Sequence, residues 1–155
     1  IKKMELTQLC KFIKKYWNEM GWESPSTEWD LKLTNLIQDS MILLKDAIDQ
    51  SKPFFILSQM KKEGEEFLES KKEVKESLKY ILFYLKEANI TKVNKDNARE
   101  IINKITVNHS IKKGILMKSL RVAFFGCLSG PDLIQSWELF SENKTDIPLI
   151  ERCII

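Results

Sequence analysis

An all-α fold is what the sequence predicts, and three features carry that prediction. Apolar residues recur at spacings of three and four along most of the chain, the period at which one face of an α-helix meets a core. Residues that cap helices, together with Gly and Pro, punctuate these runs. No segment alternates apolar and polar residues over a length that would make a convincing strand.

The first helix is predicted from Leu6, Leu9, Cys10, Ile13, Trp17 and Met20, and ends near Gly21. Ser24-Pro25-Ser26-Thr27 is a start signal, since serine can accept from the orphan backbone donors of a first turn and proline is tolerated there. The run it opens extends to about Ile48, with Asp39-Ser40 able to end one helix and cap the next, because both side chains compete for backbone groups. Gln50-Ser51-Lys52-Pro53 is expected to break the pattern, as proline biases Lys52 away from helix. The subdomain boundary is placed there, giving two packed helical subdomains, 1–55 and 56–155.

Beyond it a charged helix is expected around Ser58–Glu69. Ser70-Lys71-Lys72-Glu73 has capping-box spacing and announces a strong helix striped by Val74, Leu78, Ile81, Leu82 and Leu85. Asn94 is expected to cap another, carrying Ala98, Ile101, Ile102 and Ile105. Three further helices are implied near 111–125, 131–141 and 147–155, separated by Gly126, by Gly130-Pro131, and by Asp146 with Pro148. No internal repeat or long flexible linker separates the halves.

With 155 residues, 43% of them hydrophobic, the chain can build a buried core. Its 25 basic and 22 acidic residues leave a net charge of +3, so nucleic-acid binding would have to come from local clustering. Lysine outnumbers arginine 22 to 3, which singles out Arg99, Arg121 and Arg152. A guanidinium offers a planar fork that lysine lacks and suits a shaped partner, though a surface salt bridge is the plainer reading. Cys10, Cys127 and Cys153 are odd in number and far apart, which fits neither a disulfide framework nor a zinc site and suggests a reduced, cytoplasmic protein. No apolar run approaches the ~20 residues of a membrane span, and no leader pattern precedes a cleavage site. A chain beginning at Ile1 is expected to have lost an upstream portion.

The most informative stretch runs from Lys112 to Gly126. At about 100° per residue, Leu116, Leu120, Ala123 and Phe124 point one way. Gly114, Lys118, Arg121 and Phe125 fall on the opposite side, where two cations, a permissive glycine and an aromatic ring would suit unstacked bases and phosphates. A solvated basic face is the plain alternative. The following Gly126-Cys127-Leu128-Ser129-Gly130-Pro131-Asp132-Leu133 reads as a turn feeding a helix whose amino end presents free donors; an ordinary helix–turn–helix corner is the alternative.

Lys-Gly-Ile-Leu-Met-Lys-Ser-Leu-Arg-Val-Ala-Phe-Phe-Gly from Lys113, followed by Gly-Pro-Asp-Leu from Gly130, resembles the closing segment of bacterial glutamyl-tRNA synthetases, most of all cyanobacterial members. The family's Leu-Arg-x-Ala-x-x-Gly helix and the turn after it form much of the anticodon pocket. The resemblance therefore implies an anticodon-binding fold in which Arg121 contacts an anticodon base while Gly130, Pro131 and Leu133 pack against the loop. Lys118 joins them from geometry alone. Phe125 stands where the family often has Thr, so a ring would replace a hydroxyl. Leu33 to Phe55 more loosely resembles the end of the preceding helical domain, present only in part. Some members discriminate the third anticodon base with an arginine there, and this stretch has none, which leaves the choice between Glu and Gln anticodons open.

The implied partners are the anticodon loop of tRNA(Glu) and the parent's catalytic domain. ATP and magnesium belong to the parent, and no cofactor is expected in this fragment. The class I signatures His-x-Gly-His and Lys-Met-Ser-Lys-Ser do not occur, and Met117-Lys118-Ser119 only echoes the second. His109, the sole histidine, reads as a surface or capping residue beside a helix-starting Ser110. Trp17, Trp22, Trp29 and Trp137 read as packing residues, and Glu63, Glu65, Glu66 and Glu69 as a solvated face. A helical protein-interaction module that docks through its Phe and Trp residues is the rival from another class.

Overall fold

The computed structural model describes residues 5–41, 43 and 45–155. Ile1, and Leu44 of the Leu-Leu-Lys-Asp-Ala-Ile run, lie outside them. The described residues form nine helices and no strand, and the chain divides into two compact units, Ile1–Ile56 and Leu57–Ile155.

The first unit contains α1 (Leu6–Glu19), α2 (Thr27–Gln38) and α3 (Lys45–Phe55), each packed against the other two. Ser26 caps α2 by accepting from the Trp29 amide at 3.2 Å, and the chain leaves the helix at Asp39. Its core is aromatic. The rings of Trp17, Trp22 and Trp29 lie 5.0, 5.1 and 5.2 Å from that of Phe55. The Pro53 break does not occur: α3 runs through Pro53 to Phe55. Pro53 forfeits one backbone bond there, and the packing of Phe55 among the tryptophans, with the burial of Phe54, outweighs the missing N–H. Asp30 is fully buried and is held by the Lys14 ammonium at 2.7 Å.

The second unit contains α4 (Lys62–Ser70), α5 (Lys72–Glu87), α6 (Lys95–Asn108), α7 (Lys113–Phe125), α8 (Leu133–Glu142) and α9 (Asp146–Glu151). Helix α7 is central and packs against all five others. The expected cap at Asn94 forms, with Asn97 reciprocating as a capping box. The one expected at Ser70 does not: Ser70 ends α4, its hydroxyl donates back to the Phe67 carbonyl at 2.6 Å, and α5 starts from an uncapped Lys71. Helix α4 also begins four residues later than expected, because Ser58 and the Lys61 amide bond to the end of α7 and to Arg152 instead of to a first turn.

Ser110 does not start a helix either. It has φ 52°, His109 ends α6, and α7 begins after Lys112. His109 stacks flat on Tyr80 with centroids 3.7 Å apart. Trp137 is fully buried, and Glu63, Glu65, Glu66 and Glu69 are exposed, as the sequence suggests.

Candidate nucleic-acid interface

The candidate surface is built on α7 and the turn that carries the chain into α8. Gly114 and Lys118 are exposed on the outer side of α7, and nothing lies within 4 Å of where a Cβ on Gly114 would stand. Lys118 has no acidic partner among the described residues. Arg121, three residues on and therefore on the same side of the helix, is half-exposed. Its Nη1 donates to the carbonyls of Gly130 at 3.1 Å and Pro131 at 2.9 Å. One corner of the fork thus closes the turn onto α7, and Nε and Nη2 stay clear of protein acceptors among the described residues.

Phe125 departs from the expected arrangement. It is only 7% exposed, edge-on to Phe140 with centroids 5.6 Å apart, so it does not join Lys118 and Arg121 as an open ring. The helical wheel assumes one buried face, but the end of α7 is enclosed on several sides. From below, Phe125 supports the turn: a Cβ on Gly130 would stand 2.7 Å from the ring's Cδ2, and Gly130 has φ +150°, a backbone that side chains disfavour. Leu133 is also buried, at 2% exposure, so it anchors the start of α8 from the inside.

The free amino end expected for α8 is partly taken. Asp132 caps it, its carboxylate accepting from the Gln135 amide at 2.9 Å. An exposed carboxylate at that end opposes the partial positive charge that would otherwise draw a phosphate.

The carboxyl end of α7 is finished by Gly126, as the sequence predicts, and by Arg152, Ser58 and Lys61, which the sequence did not single out for this end. Gly126 caps the helix at φ 75°. Arg152 donates through Nη2 to the Ala123 carbonyl at 2.8 Å and to the Ser58 hydroxyl at 3.0 Å, and through Nη1 to the Ser58 carbonyl. Ser58 in turn donates to the Phe124 carbonyl at 2.9 Å, and the Lys61 amide to the Gly126 carbonyl at 2.9 Å. Burial lowers the pKa of Arg152 from its ordinary value. Gly64 on α4 lets this crossing close, since a Cβ there would collide with the Gly126 carbonyl. A glycine inside a charged helix, costing ~1 kcal/mol against alanine, was the sequence signal for such an approach.

Burial pushes the thiols of Cys10 and Cys153 up, which makes both poor nucleophiles. Among the described residues no group of three or more His, Cys, Asp or Glu side chains is placed to hold a metal ion. No helix among them is long and apolar enough to cross a membrane.

The module is thus all-helical among the described residues, with Lys118 exposed on one helix face and the Gly130-Pro131 turn held beside it by Arg121. The family described as the anticodon binding domain matches residues 6–146, and the chain belongs to that family.

The chain is 97% identical over 153 residues to a glutamate–tRNA ligase of Prochlorococcus marinus subsp. pastoris, an alignment covering 99% of this chain and 32% of that protein. A glutamate–tRNA ligase from Prochlorococcus marinus strain MIT 9515 is 77% identical, over 100% of this chain and 32% of its own length. The chain thus spans about a third of the relatives it matches. Among solved structures, a glutamate tRNA ligase from Elizabethkingia meningosepticum superposes with a TM-score of 0.84 at 21% identity, over 97% of this chain and 29% of that one. At that identity the likeness speaks for the fold.

Proposed function

We propose that this chain is the anticodon-reading portion of a glutamate–tRNA ligase and binds the anticodon loop of tRNA(Glu). A catalytic core outside this chain would then carry out ATP- and magnesium-dependent glutamylation, in the cytoplasm. The observation that carries the reading is Arg121, which holds the Gly130-Pro131 turn with one nitrogen while offering the rest of its fork to a ligand.

Single-stranded bases splayed from an anticodon loop can be read along their edges, and a planar fork and a rigid turn suit that task. Arg121 supplies paired donors to a base edge or phosphate, and Lys118 a point charge for the backbone one turn away. Gly130 and Pro131 present their backbone to the loop, and the missing Cβ on Gly130 lets the turn seat on the Phe125 ring beneath it. Phe125 and Leu133 act from beneath and hold the turn in shape. The binding energy gained here would check identity at one end of the tRNA while acylation proceeds at the other.

The test is binding of a tRNA(Glu) anticodon stem-loop across a range of salt, with a tRNA(Gln) stem-loop alongside. Affinity should fall steeply with salt as counterions compete for the phosphates. Arg121→Ala should weaken binding by ~1–3 kcal/mol at fixed salt, the worth of a good bidentate pair. Salt-independent affinity that Arg121→Ala leaves unchanged would instead favour a protein-docking module.

A further inference from the structure

The last four carbonyls of an α-helix have no partner inside it, and the helix dipole concentrates negative charge there. At the end of α7, Val122 is satisfied by the Gly126 amide at 2.8 Å. The carbonyls of Ala123, Phe124 and Gly126 instead find donors in Arg152, Ser58 and Lys61, far away in sequence. Arg152 has no carboxylate partner among the described residues and acts as a cation at the negative end of the dipole. Its Nε is buried without a partner, a cost that a residue with only a surface role would avoid.

This latch grips α7 at the point where the chain leaves for the reading turn. Ala123 and Phe124 lie within one helical turn of Arg121, and Gly126 is the first residue of the segment that ends at Gly130-Pro131. A shift in the path of the chain there would move the carbonyls that Arg121 holds. We infer that Arg152, together with Ser58, is a positioning residue for anticodon reading: the pair caps the carboxyl end of α7 and thereby sets the place of Arg121 and the Gly130-Pro131 turn. The inference rests on the anticodon-reading proposal, but its geometric part can be judged without RNA.

The experiment uses the full chain with Ser58→Ala, Ser58→Thr and Arg152→Lys. Two readouts are taken: the NMR resonances of the Gly130 amide and the Arg121 Nε–H, and the affinity for a tRNA(Glu) anticodon stem-loop, each at a temperature where circular dichroism shows the variant folded. Ser58→Ala should shift both resonances and weaken binding about threefold to tenfold, in line with losing about one hydrogen bond of control. Arg152→Lys keeps the charge but not the fork, and should shift both resonances as well. Ser58→Thr keeps the hydroxyl and should restore resonances and affinity together. Unmoved resonances in Ser58→Ala would overturn the inference, as would Ser58→Ala binding RNA like the parent. If the parent chain binds no stem-loop, the functional proposal fails, and the resonances alone decide whether the latch positions the turn. Should Arg152→Lys fail to fold, the two Ser58 variants carry the test.

Discussion

Replacing Gly130 by alanine probes both the shape of the turn and its use. The new Cβ would stand 2.7, 3.0 and 3.1 Å from three atoms of the Phe125 ring, well inside the ~3.5–4.0 Å at which carbon atoms pack favourably. The ring has little room to retreat, being 7% exposed and edge-on to Phe140. Overpacking of this kind costs ~1–3 kcal/mol. Holding a side chain at φ +150° adds ~1–3 kcal/mol. If the turn shifts to relieve part of this, the net loss should be about 2–4 kcal/mol, a fall of roughly 5–15 °C in Tm for a chain of this size. That shift would carry the Gly130 and Pro131 carbonyls away from Arg121, so stem-loop affinity should drop even where the variant is fully folded. Thermal melting by circular dichroism measures the first effect and titration at fixed salt the second. Adding Phe125→Leu should recover the packing share and leave the backbone share. A Gly130→Ala protein that melts within about 1 °C of the parent and binds RNA equally well would refute the reasoning.

Two other perturbations follow from the same geometry. Lys118→Ala should weaken stem-loop binding to a similar extent whatever the anticodon sequence, and flatten the log–log salt dependence by ~1, as expected for one phosphate contact; an unchanged slope would remove Lys118 from the interface. Asp146, 5% exposed, accepts from the Trp137 indole at 3.2 Å, and burial raises its pKa above the ordinary value. A carboxyl with a raised folded pKa contributes stability that is fully present below its unfolded pKa and lost as pH rises through the folded one. Asp146→Asn, which keeps an acceptor for Trp137, should therefore raise Tm at pH 7, and the gain should shrink as pH falls through the carboxylate range. Melting curves over pH check it, and a gain that does not change with pH would count against it.

Much of the helical order was legible along the chain because helices are local objects. The spacing of Leu9, Ile13 and Trp17 marks a buried face, and the side chains of Ser26 and Asn94 satisfy donors only three residues away. The candidate site was legible in its outline for a related reason, since Lys118 and Arg121 share a helix face and Gly130-Pro131 stand next to each other. The failures are equally instructive. Ser70 has the right spacing for a capping box, yet its hydroxyl turns back to Phe67 because α4 extends to include it. Pro53 reads as a break, but contacts made by Phe54 and Phe55 with distant residues decide otherwise.

By itself, then, the sequence determined the all-helical class, most helix starts, the kinship of the Lys113–Leu133 stretch and the lack of catalytic signatures. Each of these depends on residues close together in the chain. Only the tertiary structure decided that Phe125 lies beneath the turn, that Arg121 spends one nitrogen on the Gly130 and Pro131 carbonyls, and that Arg152 closes the end of α7 through Ser58. Helical periodicity tells which residues share a face, but not how many faces a central helix must bury. Nor can it tell which of three scattered arginines will meet the orphan carbonyls at a helix end, because that choice is made by elements meeting in space.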